Sequence, residues 1–166
     1  MSVGDELVLA VELKPDLPQD VMNVLFHINN LSLGDPNYRL ETVPKHAFFE
    51  KFWDHYFNGW NAYFNGTSFI SFRKKDVNEY HLTLRIVVRN GSSYIAGFLH
   101  WLAPYVVPDG FAGYTRTDVA EDIICHIHFS DNHAYYHELD LRKEIPKKTI
   151  IKLTREDGRW SIDKYK

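Results

Sequence analysis

Two stretches of sequence decide the fold, because one repeats the other: FISFRKKDVNE at Phe69–Glu79 and FAGYTRTDVAE at Phe111–Glu121. Phe, Asp, Val and Glu stand at the same places in both, and Phe72 of the first corresponds to Tyr114 of the second. A run of alternating apolar and polar residues follows each copy. A self-similarity of this kind predicts that one structural unit occurs twice in the chain.

The runs after the two stretches predict the second arms of two β-hairpins. Apolar residues alternate at Leu82, Leu84, Ile86 and Val88, and again at Ile123, Cys125, Ile127 and Phe129. Because successive strand residues point to opposite faces, each set marks one apolar face of a strand. The second arms match at a sequence separation one residue shorter than the separation between the first arms. At the longer separation, every side chain of the second arm would point to the wrong face. We therefore predict hairpins over residues 67–90 and 111–130.

A strand and a helix precede each predicted hairpin. An aliphatic strand at residues 7–14 leads to an amphipathic helix at 18–29, and residues 84–90 lead to a helix at 92–104. Asn90-Gly91-Ser92-Ser93 is typical of the start of that second helix. Each unit thus reads strand, helix, hairpin, so the internal repeat covers about 7–90 and 84–130 and shares the strand at 84–90.

The densest aromatic segment of the chain predicts a helix at 46–60, inserted in the first unit. Its aromatic residues recur at helical spacing: Phe49, Phe52, Trp53, Tyr56, Phe57 and Trp60. A one-sided stripe of this kind is typical of a buried helix. The aromatic run continues past the expected end of the helix, and this excess predicts a ligand- or partner-binding surface at Trp60, Tyr63 and Phe64.

The whole pattern predicts one α+β domain over residues 1–166. Its duplicated strand–helix–hairpin units form a mainly antiparallel sheet with helices on one face, ferredoxin-like in general character. A further hairpin is predicted at the C-terminal end, where residues 149–155 and 159–165 flank Asp157-Gly158. A scaffold of this kind carries many unrelated functions, so the fold alone assigns no activity.

Composition excludes several classes of protein. The formal net charge of −3 and the isoelectric point near 6.3 give no electrostatic reason to expect nucleic acid as a partner. The single cysteine, Cys125, is typical of a reducing compartment. The first residues lack the pattern of a signal peptide, and no apolar stretch is long enough to span a bilayer. We expect a cytoplasmic protein that binds no membrane.

The histidine-bearing strand is the sharpest candidate for chemistry. His126 and His128 project from one face of a strand, as two histidines that bind one metal do. A third ligand would have to come from the residues that follow: Asp131, His133, His137 or Glu138. The alternative is that both histidines are polar residues on an exposed sheet face, as Arg85 is in the first copy. We expect no metal and no cofactor; if a metal binds, its ligands are His126, His128 and His133.

Two further sets of residues have plain structural interpretations. Cys125 lies between apolar residues on its face, which predicts a buried, slowly reacting thiol rather than a nucleophile. The carboxylate pairs Asp76/Glu79 and Asp118/Glu121 fall at the predicted hairpin turns, where turn chemistry explains the aspartates.

With no catalytic constellation and with aromatic residues at 15% of the chain, the sequence favours a binding module. We expect a non-enzymatic cytoplasmic protein that binds a protein partner or associates with itself. The alternative is a small-ligand-binding protein or a metal-dependent enzyme that uses the His126/His128 strand.

Overall fold

The computed structural model describes residues 4–32, 40–50, 53–57, 69–76, 79–89, 91–108, 110–117, 123–140, 151–156 and 159–164. These residues form an α+β fold. Its strands are β1 (Gly4–Leu13), β2 (Phe69–Asp76), β3 (Glu79–Arg89), β4 (Phe111–Thr117), β5 (Ile123–Ser130), β6 (His133–Asp140), β7 (Ile151–Glu156) and β8 (Arg159–Lys164). Its α-helices are α1 (Gln19–Ser32) and α2 (Ser92–Leu102).

Six strands form one open sheet in the order β2-β3-β1-β4-β5-β6, and every neighbouring pair in it is antiparallel. Helix α1 follows β1 in the chain, and α2 connects β3 to β4. Strands β7 and β8 form a separate two-stranded antiparallel ladder.

One face of the sheet carries the core. In β1 the buried positions alternate as Leu7, Leu9, Val11 and Leu13. The β1–β3 register places Leu7 opposite Ile86 and Leu9 opposite Leu84, so the apolar rows of the two strands coincide. The face predicted from the alternation in β3 is confirmed, because Leu82, Leu84, Ile86 and Val88 are all buried.

Both α-helices pack on this face through residues at helical spacing. Val21, Leu25 and Ile28 of α1 and Phe98 and Leu102 of α2 are buried in the same cluster as the strand residues. The segment Asn90–Ser93 supplies the cap of α2, as predicted. Gly91 occupies the cap position, and its N–H donates to the Asp5 carboxylate at 2.6 Å, a partner from the start of the chain.

The aromatic segment is not the predicted continuous helix. Among its described residues, Ala47–Phe49 and Trp53–Tyr56 form two short 3₁₀ turns. Burial is as expected where the side chains are described, since Phe49, Trp53 and Phe57 lie in the core together with Phe48. Phe48 stacks on Trp101 of α2 with ring centroids 6.1 Å apart. Packing against α2, rather than the helical spacing of the sequence, decides the local backbone here.

Both predicted repeat hairpins are present, as β2–β3 and β4–β5. The strands that precede the two helices are not paired alike, however. In the first unit, β1 pairs with β3, which is the second arm of that unit's hairpin. In the second unit, β3 would have to pair with β5 in the same way, but the neighbours of β3 are β1 and β2. The duplication of the unit therefore remains a prediction from the sequence.

The C-terminal hairpin has the predicted arms, with Ile151 opposite Lys164 and Glu156 opposite Arg159. Its turn residues, 157–158, lie outside the described part of the chain. Neither of the two described α-helices has the length and apolar character needed to cross a membrane.

Candidate functional site

The face of the sheet opposite the core has an ionic centre. Glu6 lies on β1 between Arg85 of β3 and Arg116 of β4. Arg85 Nε donates to Glu6 Oε1 at 2.8 Å, and Arg116 Nε donates to Glu6 Oε2. The Glu6 side chain is only 7% exposed, so its charge is held by hydrogen bonds from both guanidinium groups. The two arginines thus meet a carboxylate of their own protein on this face.

Beside this centre lies a group of rings, here called the β4–β6 patch: Phe111, His126, His128, Tyr135 and His137. Cross-strand pairing brings them together, because Phe111 lies opposite His128, His128 opposite Tyr135, and His126 opposite His137. The Phe111 ring is 4.8 Å from that of His126 and 6.3 Å from that of His128, centroid to centroid. The patch is therefore one contiguous surface built by three strands.

The apolar members of the patch are unusually open to solvent. Phe111 is 56% exposed and Tyr135 is 49% exposed. A β-bulge between Phe111 and Gly113 interrupts the β4–β5 register at this point. Bulges re-aim side chains, and this one lies next to the most exposed aromatic residue of the patch. A cluster of exposed rings on a sheet face is a feature of binding surfaces.

The structure places the predicted metal ligands on β5 and β6 without bringing three of them together. His126 and His128 share a face, as predicted, with ring centroids 6.4 Å apart. His128 Nδ1 lies 3.1 Å from the Gly110 carbonyl oxygen, and His133 Nδ1 lies 2.7 Å from the Asp131 carbonyl oxygen. These nitrogens are engaged with the backbone. Among the described residues, no three His, Cys, Asp or Glu side chains converge on a point that a metal could occupy.

Cys125 lies on the face opposite His126, as predicted, but it is half-buried rather than buried. It lines a cavity of about 210 Å³ together with Asp5, Ile95, Thr115 and Tyr136. The space between α2 and the strands leaves the thiol incompletely covered. Burial raises the pKa of the Cys125 thiol; a hydrogen bond with Thr115 opposes this rise, and the nearby Glu138 carboxylate adds to it. Desolvation also raises the pKa of the Tyr136 hydroxyl to about 12. Both groups are therefore protonated at neutral pH.

A second feature, which the sequence did not reveal, is a hydrogen-bonded histidine pair in a groove between the aromatic segment and α2. His46 Nε2 lies 2.9 Å from His100 Nδ1, and His46 Nδ1 accepts from the Phe48 N–H at 3.1 Å. The groove has a volume of about 440 Å³ and also includes Glu50, Tyr94 and Gly97. The two histidines are 54 residues apart, so no local sequence signal could have paired them.

The cap bond fixes the tautomer of this pair. Because Nδ1 of His46 accepts a hydrogen bond from the Phe48 N–H, neutral His46 carries its hydrogen on Nε2 and donates a hydrogen bond to His100. A metal bound to His46 Nε2 would require the hydrogen on Nδ1, where it would oppose the Phe48 N–H. Desolvation lowers the pKa of His46, with a further contribution from His100. The pair is thus a structural link between the aromatic segment and α2.

Several residues singled out from the sequence do not enter these sites. Trp60, Tyr63 and Phe64, predicted to bind a ligand or partner, lie outside the described residues, as do Asp118 and Glu121. Asp76 lies opposite Glu79 where the β2–β3 hairpin closes, as turn chemistry predicts. Phe111, conversely, belongs to the β4–β6 patch, although the sequence distinguishes it only as part of the repeat. The sequence sign of a bulge near Phe111 is Gly113, a glycine within the strand two residues later.

Comparison with known proteins finds no matching family model, no matching curated protein and no matching solved structure for this chain.

Proposed function

We propose that this protein is a non-enzymatic binding module that recognises a protein partner through the β4–β6 patch. The observation that carries the proposal is the exposure of Phe111 and Tyr135 within a contiguous group of aromatic and imidazole rings. Rigid rings in contact with solvent supply much of the anchoring energy at protein interfaces, because they bury large areas while losing few rotamers.

The surroundings of the patch favour a protein partner over nucleic acid. Arg85 and Arg116, the cations nearest the centre of the open face, are already paired with Glu6. A surface that binds phosphate groups needs free cations, and the chain as a whole carries a net charge of −3. The apolar rings beside the ionic centre resemble an interface core with a polar rim.

The alternatives have less support. The imidazoles of the patch do not converge with a third ligand, and Cys125 remains a protonated thiol. At the groove, His46 Nε2 and His100 Nδ1 are hydrogen-bonded to each other, and His46 Nδ1 accepts from the Phe48 N–H. Among the residues that the structure describes, we therefore propose no catalytic group and no cofactor.

We further infer the finer organisation of the fold. The connection β1-α1-β2-β3-α2-β4 with the sheet order β2-β3-β1-β4 supports a ferredoxin-like arrangement extended by β5 and β6. The sequence identities between Phe69–Glu79 and Phe111–Glu121 support an internal repeat in a single domain. The lone cysteine supports a cytoplasmic location, and we propose no membrane partner.

Site-specific photo-crosslinking in the native host tests the proposed function. A benzoylphenylalanine placed at position 111 or 135 should yield a discrete protein adduct, identified by mass spectrometry. The same probe at Phe26, an exposed aromatic residue of α1, provides the matched control. We expect adducts from the patch positions and none of the same mass from position 26.

A second variant makes the result specific. With the probe at position 135, Phe111→Ser should weaken the same adduct, whereas Phe26→Ser should leave it unchanged. No position-specific adduct from either patch residue, or equal adducts from position 26, would exclude the patch as the binding surface.

A further inference from the structure

We infer that a second copy of this chain associates with the first by antiparallel pairing of the two β6 strands, at the edge of the β4–β6 patch. This inference goes beyond the proposed function, because pairing at the edge leaves the Phe111 ring on β4 open for a further partner. The edge of the sheet is extended by another β6, so two six-stranded sheets become one continuous sheet.

The two edges of the sheet differ in how well they can accept another strand. The β2 edge carries Arg73-Lys74-Lys75 in its sequence, and its register with β3 is irregular between Lys74 and Asp76. Lysines and irregularities are the usual means by which edge strands avoid pairing. Strand β6 has the sequence HAYYHELD, with no lysine, arginine or proline, and it pairs with β5 in unbroken register from Ser130–His133 to Ile123–Asp140. Of the described strands, only β5 pairs with β6.

Symmetry restricts the register of the proposed pairing. A twofold axis perpendicular to the sheet keeps the core face of both copies on the same side. Residues that face one another across the axis must then share a face, so odd-numbered β6 residues meet odd-numbered ones. We propose the register that centres on Tyr136. It places Tyr135 opposite the partner's His137, Ala134 opposite the partner's Glu138, and His133 opposite the partner's Leu139.

This register continues the patch across the twofold axis. Within one copy, His126 lies opposite His137, and His128 lies opposite Tyr135. Across the axis, the row His126–His137 continues into the partner's Tyr135 and His128. The exposed Tyr135 ring therefore gains a cross-strand aromatic neighbour, and such pairs stabilise antiparallel sheets. Moving the register by two residues would set His137 against the partner's His137 and lose this row.

The charges of β6 are also compatible with self-pairing. On the core side, Glu138 meets the small side chain of the partner's Ala134 instead of another carboxylate. The imidazole-bearing start of each strand lies beside the acidic end of its partner. A second copy thus brings no like charges into direct opposition, which a self-paired strand must avoid.

Sedimentation velocity of the full-length protein over roughly 1 μM to 1 mM tests the inference, with charge variants at the contact. We expect the wild type to form dimers with increasing concentration. Tyr135→Glu/His137→Glu and Tyr135→Lys/His137→Lys each place like charges opposite one another, so each alone should dimerise at least about tenfold more weakly. Mixing the two variants should restore dimers, because Glu of one copy then meets Lys of the other.

Matched controls separate an interface effect from misfolding. Phe26→Glu and Phe26→Lys each place one charge of the same sign on α1 and should leave dimerisation unchanged. The far-ultraviolet circular dichroism and thermal midpoint of every variant report its folding, and recovery on mixing cannot come from an unfolded chain. A wild type that stays monomeric throughout, or dimers insensitive to both patch variants, would overturn the inference. Adducts at positions 111 and 135 with a different protein would then leave the proposed function intact, whereas absence of any adduct would remove that function as well.

Discussion

At the scale of single residues, His46 is the group whose protonation should matter most for local structure. Its Nδ1 accepts the Phe48 N–H and its Nε2 donates to His100, so an added proton breaks one of these bonds. Because the pKa of His46 is lowered in the folded protein, its stabilising contribution is present above the unfolded pKa of about 6.5. That contribution is lost as the pH falls below this value toward the folded pKa. His27, whose pKa burial also lowers, acts in the same direction.

We therefore predict that the free energy of unfolding decreases between pH 7.5 and pH 5.5, in part through His46. His46→Asn keeps an oxygen that can accept the Phe48 N–H, so its stability at pH 7.5 should stay within about 0.5 kcal/mol of the wild type. Its loss of stability toward pH 5.5 should be smaller than that of the wild type. His46→Ala removes the cap and should cost about 1 kcal/mol at pH 7.5. Urea denaturation at both pH values measures these differences, and identical pH slopes for wild type and His46→Asn would contradict the assignment.

At the scale of elements, the β1–β4 pairing depends on Gly113. Its φ is +155°, and a Cβ added there would lie 2.0 Å from the Val8 carbonyl oxygen and 2.9 Å from Leu9 Cα. Both neighbours are backbone atoms of the central strand, so they cannot move aside without disturbing the ladder. We predict that Gly113→Ala lowers the free energy of unfolding by on the order of 3 kcal/mol or more.

Gly110→Ala is the control for this prediction. Gly110 also has a positive φ, of +58°, but a Cβ there would meet no atom within 4 Å. Its substitution tests conformational strain alone and should cost about 1 kcal/mol. Urea denaturation of both variants measures the difference, and equal losses would show that close approach to β1 is unimportant.

At the scale of elements, the sequence predicted some features of the strands and helices and not others. Alternation predicted the faces of β3 and β5, because one side of each strand packs on the core. The spacing of Phe49, Trp53 and Phe57 predicted burial correctly but a helix wrongly. Aromatic residues favour helices weakly, and ring packing against α2 decided the backbone instead.

Contacts between distant parts of the chain were beyond prediction from local patterns. The cap that Asp5 provides for Gly91 and the pair His46–His100 join residues 86 and 54 positions apart. Neither has a signal in the residues around it. The sequence identified the histidines of the β4–β6 patch as candidates. It did not identify Phe111, which joins them only through the order of the strands.

At the scale of the whole molecule, one contiguous core joins the central strands of the six-stranded sheet to both α-helices. Residues of β1, α1, β3, α2 and β5 belong to the same buried cluster. The β7–β8 ladder is different in kind, because an isolated two-stranded hairpin is marginally stable in water. A hairpin that persists in the native protein therefore needs packing against other elements. If residues 1–166 form one domain, as the sequence predicts, this hairpin unfolds together with the sheet.

We accordingly predict one cooperative transition for the whole chain. Pulse-labelling hydrogen exchange with mass spectrometry, carried out across a series of urea concentrations, follows each segment in the unmodified protein. Peptides covering β7 and β8 should lose protection at the same midpoint as peptides covering β1 and β3, because the elements of one cooperative domain unfold together. The β1 and β3 peptides report the central strands and serve as the internal reference. A hairpin that loses protection at clearly lower urea, while β1 and β3 stay protected, would show that the C-terminal ladder is a separate unit and that the single-domain prediction is wrong.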